Sequence, residues 1–269
     1  MKLTDRVVVI TGAAHGIGAA LARRFAREGA RGIVVSDLDL AGAEAVAASI
    51  ADGGGEALAC RADAGVKDDL RGLVEAAQDA YGPVDLFCSN AGLAFGTGIH
   101  AADAQWARSW AVNVMQHVYA AQVCLPSMLR RRGGYLLLTA SGAGLLGAPG
   151  DAPYSVTKQA AVGVAEWLAV TYRQRGLGVS ALCPLGVRTD LLVPGIEAGH
   201  PAAVAIAAAA PLLEPEEVAE AAVAGLGREE FLILPHESVR DAYAEKAREP
   251  DAWIERTIER TALATGKRG

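Results

Sequence analysis

The sequence lacks any uninterrupted apolar run of the ~20 residues that a membrane span requires. Its longest low-charge stretch, Leu185 to Leu213, is cut by Arg188, Asp190, Glu197, His200 and three prolines. An apolar signal-peptide core is missing too, because Met1–Ile10 carries Lys2, Asp5 and Arg6. These absences predict a cytoplasmic chain with no membrane partner. A basic surplus is also lacking: 25 Lys and Arg against 31 Asp and Glu leave a net charge of −6. That balance excludes a nucleic-acid or anionic-lipid surface as the main business. Cysteines number four, Cys60, Cys88, Cys124 and Cys183, and none forms Cys-x-x-Cys. They read as buried free thiols rather than disulfides or metal ligands, and no metal is expected. Aromatic residues make up only 5% of the chain, and the 31 glycines follow no three-residue period, which excludes collagen. What is abundant is aliphatic: 52% of the 269 residues are hydrophobic, so the chain can bury enough surface to order itself.

Short apolar runs alternate with longer amphipathic ones. Arg6–Thr11, Gly32–Ser36, Glu56–Cys60, Val84–Ser89, Tyr135–Thr139, Gly178–Cys183 and Phe231–Leu234 read as seven strands. Between them, helices are expected at Gly16–Glu28, Leu40–Ala51, Val66–Ala80, about 104–131, Tyr154–Arg175 and Glu216–Gly225. The tail, about 237–264, is expected to be largely helical. Such alternation makes βαβ units, hence an α/β fold with a doubly wound parallel sheet. No linker or repeat divides the chain, so residues 1–269 are expected to form one domain. Within it, a substrate lid is expected at about 189–211, where the Ala-rich patch Ala202–Ala210 suits a small helix.

The first strand runs into Thr11-Gly12-Ala-Ala-His15-Gly16-Ile17-Gly18. At a strand–helix junction of this kind, free backbone N–H groups and the helix dipole favour a pyrophosphate. Glycines let the backbone approach it closely. Asp37 ends the second strand, 25 residues after Gly12. A carboxylate there accepts hydrogen bonds from adenosine ribose hydroxyls and repels a 2′-phosphate. Unit charges 4 Å apart interact by roughly 4 kcal/mol at an effective dielectric of 20. Leu38 follows, not a basic residue, so NAD is expected rather than NADP. Asp37 read alone also suits a loop turn, and His15 suits either a phosphate contact or a loop hydrogen bond. Asp63-Ala64 and Ser89-Asn90-Ala91-Gly92 follow the third and fourth strands, at the edge where open α/β sheets bind ligands. Each equally suits a turn or a helix cap.

Tyr154 and Lys158 stand four apart on one expected helix face. An ammonium beside a phenol favours the phenolate, which makes a general base for an alcohol proton. The same spacing also describes an ordinary surface pair. Ser141 lies 13 residues before Tyr154 and could hold a substrate oxygen or simply close a turn. Asn113 sits inside a long helix, where a buried amide must be satisfied; it reads as a core amide or as the holder of a proton-relay water.

Taken together, Thr11-Gly-x-x-x-Gly-Ile-Gly18, Asp37, Asp63-Ala64, Asn90-Ala-Gly92, Asn113, Ser141, Tyr154-x-x-x-Lys158 and Pro184-x-x-Val187-x-Thr189 match one family in order and spacing. The chain resembles the short-chain dehydrogenase/reductase family over nearly its whole length. The resemblance implies a Rossmann fold and an Asn113–Ser141–Tyr154–Lys158 tetrad. Tyr154 would be the acid/base, and Lys158 would lower its pKa and bind the nicotinamide ribose. Ser141 would orient the substrate oxygen, and Asn113 would hold the relay water. Val187 and Thr189, after Pro184, would hold the carboxamide, with transfer of the pro-S hydride. Ser89 and Leu185 depart from the family's usual Asn and Gly; Leu185 bears on pocket shape.

The expected surround of the reaction centre is apolar: Leu93, Leu145, Leu185, Leu191 and Leu192. It fits an uncharged, fairly apolar secondary alcohol or ketone. Rival readings are an NADP-linked ketoreductase acting on acyl carriers and a non-catalytic NAD-binding sensor. The resemblance also implies a homo-oligomer, dimer or tetramer, through the long helices. Their Trp106, Trp110, Val118, Val164 and Trp167 suit an interface or a core equally. The tail could cap a neighbour or cover its own site.

Overall fold

Seven short apolar runs become strands, and the five central ones are buried on both faces, which only a sheet covered twice provides, while the two at its edges are partly exposed. The computed structural model describes residues 1–265. Its strands are β1 (Val7–Thr11), β2 (Gly32–Asp37), β3 (Ala57–Arg61), β4 (Leu86–Ser89), β5 (Gly134–Thr139), β6 (Leu177–Leu182) and β7 (Leu232–Ile233). They pair in the order β3-β2-β1-β4-β5-β6-β7, all parallel. The order reverses between β1 and β4, which opens a crevice at their C-terminal ends. This is the Rossmann-type doubly wound sheet.

Alternate residues feed opposite cores. Val7 and Val9 of β1 join one buried cluster, and Val8 and Ile10 join the other. The first cluster takes in α3 (Lys67–Tyr81), α5 (Gln116–Arg130) and α7 (Ala152–Tyr172). The second takes in α1 (Gly16–Arg27), α2 (Leu40–Asp52) and α10 (Pro215–Arg228). Each fully buried Val, Leu or Ile contributes about 1.5–3 kcal/mol, so the two layers hold the sheet in place beneath the crevice.

The helix expected at about 104–131 forms without interruption, with one π turn inside it. α4 (Asp103–Trp110) passes into a π turn at Ala111–Met115 before α5 begins. Asn113 sits in that turn with its amide drawn out to Leu93. Two short helices carried no periodic signal, α6 (Ala143–Leu146) and α8 (Val193–Glu197). The Ala-rich patch forms α9 (Pro201–Ala209), and β7 is shorter than its apolar run. The tail forms α11 (Ser238–Arg248) and α12 (Pro250–Thr265). α12 packs against α9 of its own chain, and α11 packs against α6. Lys246 of α11 donates to the Leu145 carbonyl at 2.7 Å. The tail thus packs against the segment expected to form the lid. The cysteines are free, with Cys60 half-buried and the other three buried. Among the described residues no helix is long and apolar enough to cross a membrane.

Candidate active site

The crevice floor is stitched across three strands. Thr11 Oγ1 accepts from Asn90 N at 3.0 Å and Ala91 N at 3.2 Å. Asn90 Nδ2 donates to the Thr11 and Gly12 carbonyls at 3.1 and 3.0 Å, and its Oδ1 accepts from Thr139 Oγ1 at 3.0 Å. Asn90 therefore ties β1, β4 and β5 together at their tips. Gln116, buried at the start of α5, joins Thr11 to the Ala91 carbonyl. Sequence reasoning passed over Gln116; its signal was a polar residue on a helix face that is otherwise apolar.

Gly12 has φ 62° and faces Ala91 so closely that a Cβ would lie 2.7 Å from the Ala91 Cα. Gly18 has a different task from the one expected. A Cβ there would fall 2.0 Å from the Gly12 carbonyl oxygen, so Gly18 packs α1 onto its own loop and does not line the cleft. Gly12, His15, Gly16 and Ile17 do line it. α1 has no acidic residue in its first turn and no side-chain cap, so its leading N–H groups face the cleft unopposed. His15 is exposed and turns to Asp39, with Nε2 2.8 Å from Oδ2. Asp37 sits at the tip of β2, where its carboxylate accepts from Ala14 N and Asp39 N, both at 3.1 Å. Leu38 beside it lines the same wall. Burial pushes the Asp63 carboxyl up. Hydrogen bonds from Arg108 and Gly65 and the Arg108 charge outweigh this and hold it below the usual carboxylate range. Ala64, Asn90, Ala91, Gly92, Pro184, Val187 and Thr189 complete the lining on this side.

Lys158 is 2% exposed, and its Nζ donates to the Thr139 carbonyl at 2.9 Å. The ammonium stands 5.7 Å from the centre of the Tyr154 ring. Burial pushes the Lys158 pKa down to about 8. Burial also raises the Tyr154 phenol; the Ser141 hydroxyl pulls it down and the Asp151 charge pushes it further up. In the protein alone, then, desolvation decides the phenol's acidity. Ser141 Oγ accepts from Ala143 N at 3.1 Å and donates to the Pro184 carbonyl at 3.4 Å. Asn113 is fully buried. Its Oδ1 accepts from Leu93 N, and its Nδ2 donates to the Leu93 carbonyl and to Thr157 Oγ1, each at 3.0 Å. Those bonds use both of its N–H groups, so the side chain serves as a clamp between the Leu93 loop and α7.

One cleft of about 750 Å³ unites Ser141, Tyr154 and Lys158 with the glycine loop, whereas Asn113, the fourth member of the expected tetrad, lies behind its lining. Its far end is walled by Leu93, Phe95, Leu185, Leu191, Leu192 and Ile206, with His200 at the rim. Leu145 is the exception among the expected wall residues. It is 2% exposed and belongs to the core beneath α6, because its helix turns it inward. Leu185 fits where the family commonly has glycine because Gly142 makes room; a Cβ on Gly142 would meet the Leu185 side chain at 2.4 Å. Asp151 was missed. It caps α7 by accepting from Tyr154 N at 3.0 Å, and it also accepts from Phe95 N and Gly96 N at 3.0 and 2.6 Å. The pattern Asp-x-Pro-Tyr, a cap followed by proline in the first turn, announced it.

A doubly wound sheet with a glycine-lined switch point and a half-buried tyrosine over a buried lysine beside it defines a Rossmann-type oxidoreductase. The family model for short chain dehydrogenase matches residues 6–197. The 1-deoxy-11-beta-hydroxypentalenate dehydrogenase of Streptomyces exfoliatus is 34% identical over 244 residues, 89% of this chain and 86% of that protein. The sex determination protein tasselseed-2 of Zea mays is 34% identical over 212 residues, 76% of this chain but only 62% of that protein's length. A crystal structure of a short chain dehydrogenase/reductase from Burkholderia phymatum, in complex with NAD, superposes with a TM-score of 0.85 at 26% identity. The match covers 94% of this chain and 96% of that one. The chain belongs to the short-chain dehydrogenase family, whose members bind a nicotinamide cofactor.

Proposed function

We propose that the protein transfers a hydride between NAD(H) and an uncharged, fairly apolar secondary alcohol or ketone. The observation that carries this reading is the convergence of Tyr154, Lys158 and Ser141 in one cleft, between the glycine loop and an apolar chamber. The residues fit NAD. Gly12 and Gly16, both at positive φ, line the cleft with bare backbone where side chains would strike Ala91 and Thr189, and Asp37 offers acceptors at the tip of β2 with Leu38, not a cation, beside it. When bound, the cofactor supplies the hydride acceptor or donor. Asp37 holds ribose hydroxyls, and Asp63-Ala64 and Asn90-Ala91-Gly92 form the adenosine and central wall. Pro184, Val187 and Thr189 hold the carboxamide end. Ser141 orients the substrate oxygen, and Tyr154 takes its proton in oxidation or returns one in reduction. Lys158, its ammonium held by the Thr139 carbonyl and made more acidic by burial, anchors the site beside the phenol.

The apolar far wall supports an uncharged substrate. The relative from Streptomyces is named for dehydrogenation of a hydroxy-carboxylate, which supports the alcohol chemistry and not the absence of charge. A homo-oligomer belongs to the same reading, supported by Trp110, Trp167 and Val170, which stand exposed on α4 and α7. So does a cytoplasmic setting, supported by the free cysteines. The test is a screen of secondary alcohols with NAD and NADP, following absorbance of the reduced cofactor, with Tyr154→Phe alongside. Loss of turnover by about 10²–10⁴-fold with retained NAD binding is expected. Turnover unchanged in Tyr154→Phe, or anionic substrates outrunning every neutral one, would overturn the reading.

A further inference from the structure

His236 lies just beyond β7, 7% exposed, and is used by nothing in the reading above. Its Nδ1 accepts from the Leu185 N–H at 3.2 Å, and its Nε2 donates to the Pro211 carbonyl at 3.1 Å. These partners define the neutral ring with the proton on Nε2. The Leu185 N–H shares a peptide unit with the Pro184 carbonyl, and such a unit is planar and stiff. The Pro184 carbonyl accepts from Gly142 N at 2.7 Å and from Ser141 Oγ at 3.4 Å. One flat plate therefore has His236 on one edge and the Ser141 hydroxyl on the other. The ring's second bond reaches Pro211, at the end of the lid segment.

We infer that His236 is a positioning residue: it fixes the Pro184–Leu185 peptide and through it the direction of the Ser141 hydroxyl, while tying down the lid's trailing end. The inference rests on the reading that Ser141 works with Tyr154. At 3.4 Å the Ser141–Pro184 bond is long, so the hydroxyl is aimed yet free to turn to a substrate oxygen. Tilting the plate would move both anchors of the Ser141 turn. A proton on Nδ1 would set a donor against the Leu185 N–H and release the plate. Burial opposes that proton. The Pro211 and Gly186 backbones and the Glu217 carboxylate on α10 favour it less strongly, so the ring protonates below its usual range. Leu185, Gly186 and Pro211 face the ring only through backbone, and Glu217 is the charged side chain that acts on it.

The test compares His236→Asn, His236→Gln and His236→Leu with wild type. An asparagine oxygen takes the place of Nδ1 and keeps an acceptor for Leu185; glutamine reaches the Nε2 position only, and leucine reaches neither. kcat and KM are measured from pH 5 to 9 on an alcohol that Tyr154→Phe cannot turn over, and crystal structures of His236→Leu and His236→Asn are solved. His236→Gln and His236→Leu should lose about 10–100-fold in kcat with KM for NAD changed little, as expected for a reacting group displaced by up to ~1 Å. His236→Asn should recover most of the rate. The acid-side fall of wild-type kcat should flatten in His236→Asn. Wild-type kcat in the leucine and glutamine variants, or an asparagine variant as poor as leucine, overturns the inference. If wild type oxidises no alcohol, the parent reading falls, and the crystal structures decide alone. A displaced Pro184–Leu185 peptide and Ser141 hydroxyl in His236→Leu, restored in His236→Asn, support the inference; an unmoved plate overturns it.

Discussion

Leucine in place of His117 is expected to stabilise the protein, and to do so more strongly as the pH falls. His117 stands one helical turn after Asn113, is 1% exposed, and has no hydrogen-bond partner on either ring nitrogen. An unsatisfied buried polar group costs about 1–3 kcal/mol, and an apolar side chain of similar bulk removes that cost. Burial, helped by the charge of Lys158, pushes the imidazole pKa down to about 3; the Asn113 backbone pulls weakly the other way. The sign follows from proton counting. Between pH ~6.5 and ~3 the unfolded chain carries a proton on this histidine that the folded chain refuses, so acidification favours unfolding across that window. At about 1.4 kcal/mol per pH unit, the loss is about 2 kcal/mol by pH 5 and about 5 kcal/mol at pH 3 and below. Urea unfolding of both proteins at pH 8 and pH 5 measures it. The stability gap between His117→Leu and wild type should widen by about 2 kcal/mol at the lower pH. His236 is present in both proteins and cancels. A gap that stays constant with pH, or a leucine variant less stable at both, would refute the reasoning.

Three further outcomes are expected. Asp37→Ser should raise the NADP-to-NAD ratio of kcat/KM at least about tenfold, since it removes a repulsion worth roughly 4 kcal/mol before screening; an unchanged ratio would show that the tip of β2 does not select the cofactor. Gly18→Ala drives a methyl to 2.0 Å from the Gly12 carbonyl, and should cost about 3 kcal/mol and weaken cofactor binding; a wild-type melting temperature would contradict this packing. Asp151→Ala removes the cap of α7 and two bonds to the 93–98 loop, and should lower stability by about 2 kcal/mol, or Tm by roughly 4–8 °C, while raising KM for the alcohol. A drop in Tm with KM unmoved would confine Asp151 to capping.

The strands and their order along the chain were legible because two-sided burial leaves a plain signature: runs such as Val7–Thr11 have no polar alternation to confuse. The placement of Asp37, Tyr154 and Lys158 along one cleft was legible because strand ends and helix starts are marked by glycine and by spacing. What escaped was set by contacts distant in sequence. The π turn at Ala111–Met115 depends on Leu93 pulling the Asn113 amide sideways, and helical periodicity carries no trace of a partner 20 residues away. Leu145 has the composition of a pocket residue, but the direction of a four-residue helix decided its side. Gly18 reads like the other loop glycines, and only the crossing of α1 over Gly12 separates its task from theirs. His236 reads as a tail residue until β7 takes its place beside β6.

The stitching of β1, β4 and β5 by Asn90 has a consequence for how this molecule can change. That wall of the cleft is cross-linked by hydrogen bonds among buried groups, and an alteration at Thr11, Asn90 or Thr139 disturbs all three strand tips together. The opposite wall is built from α8 and the alanine-rich α9, two short helices that pack on each other, with α9 resting on α12. Side chains there can be enlarged or trimmed one at a time without touching a strand. The cleft thus pairs an anvil with an adjustable jaw: under the function proposed above, the first would hold the chemistry and changes to the second would alter which substrate fits.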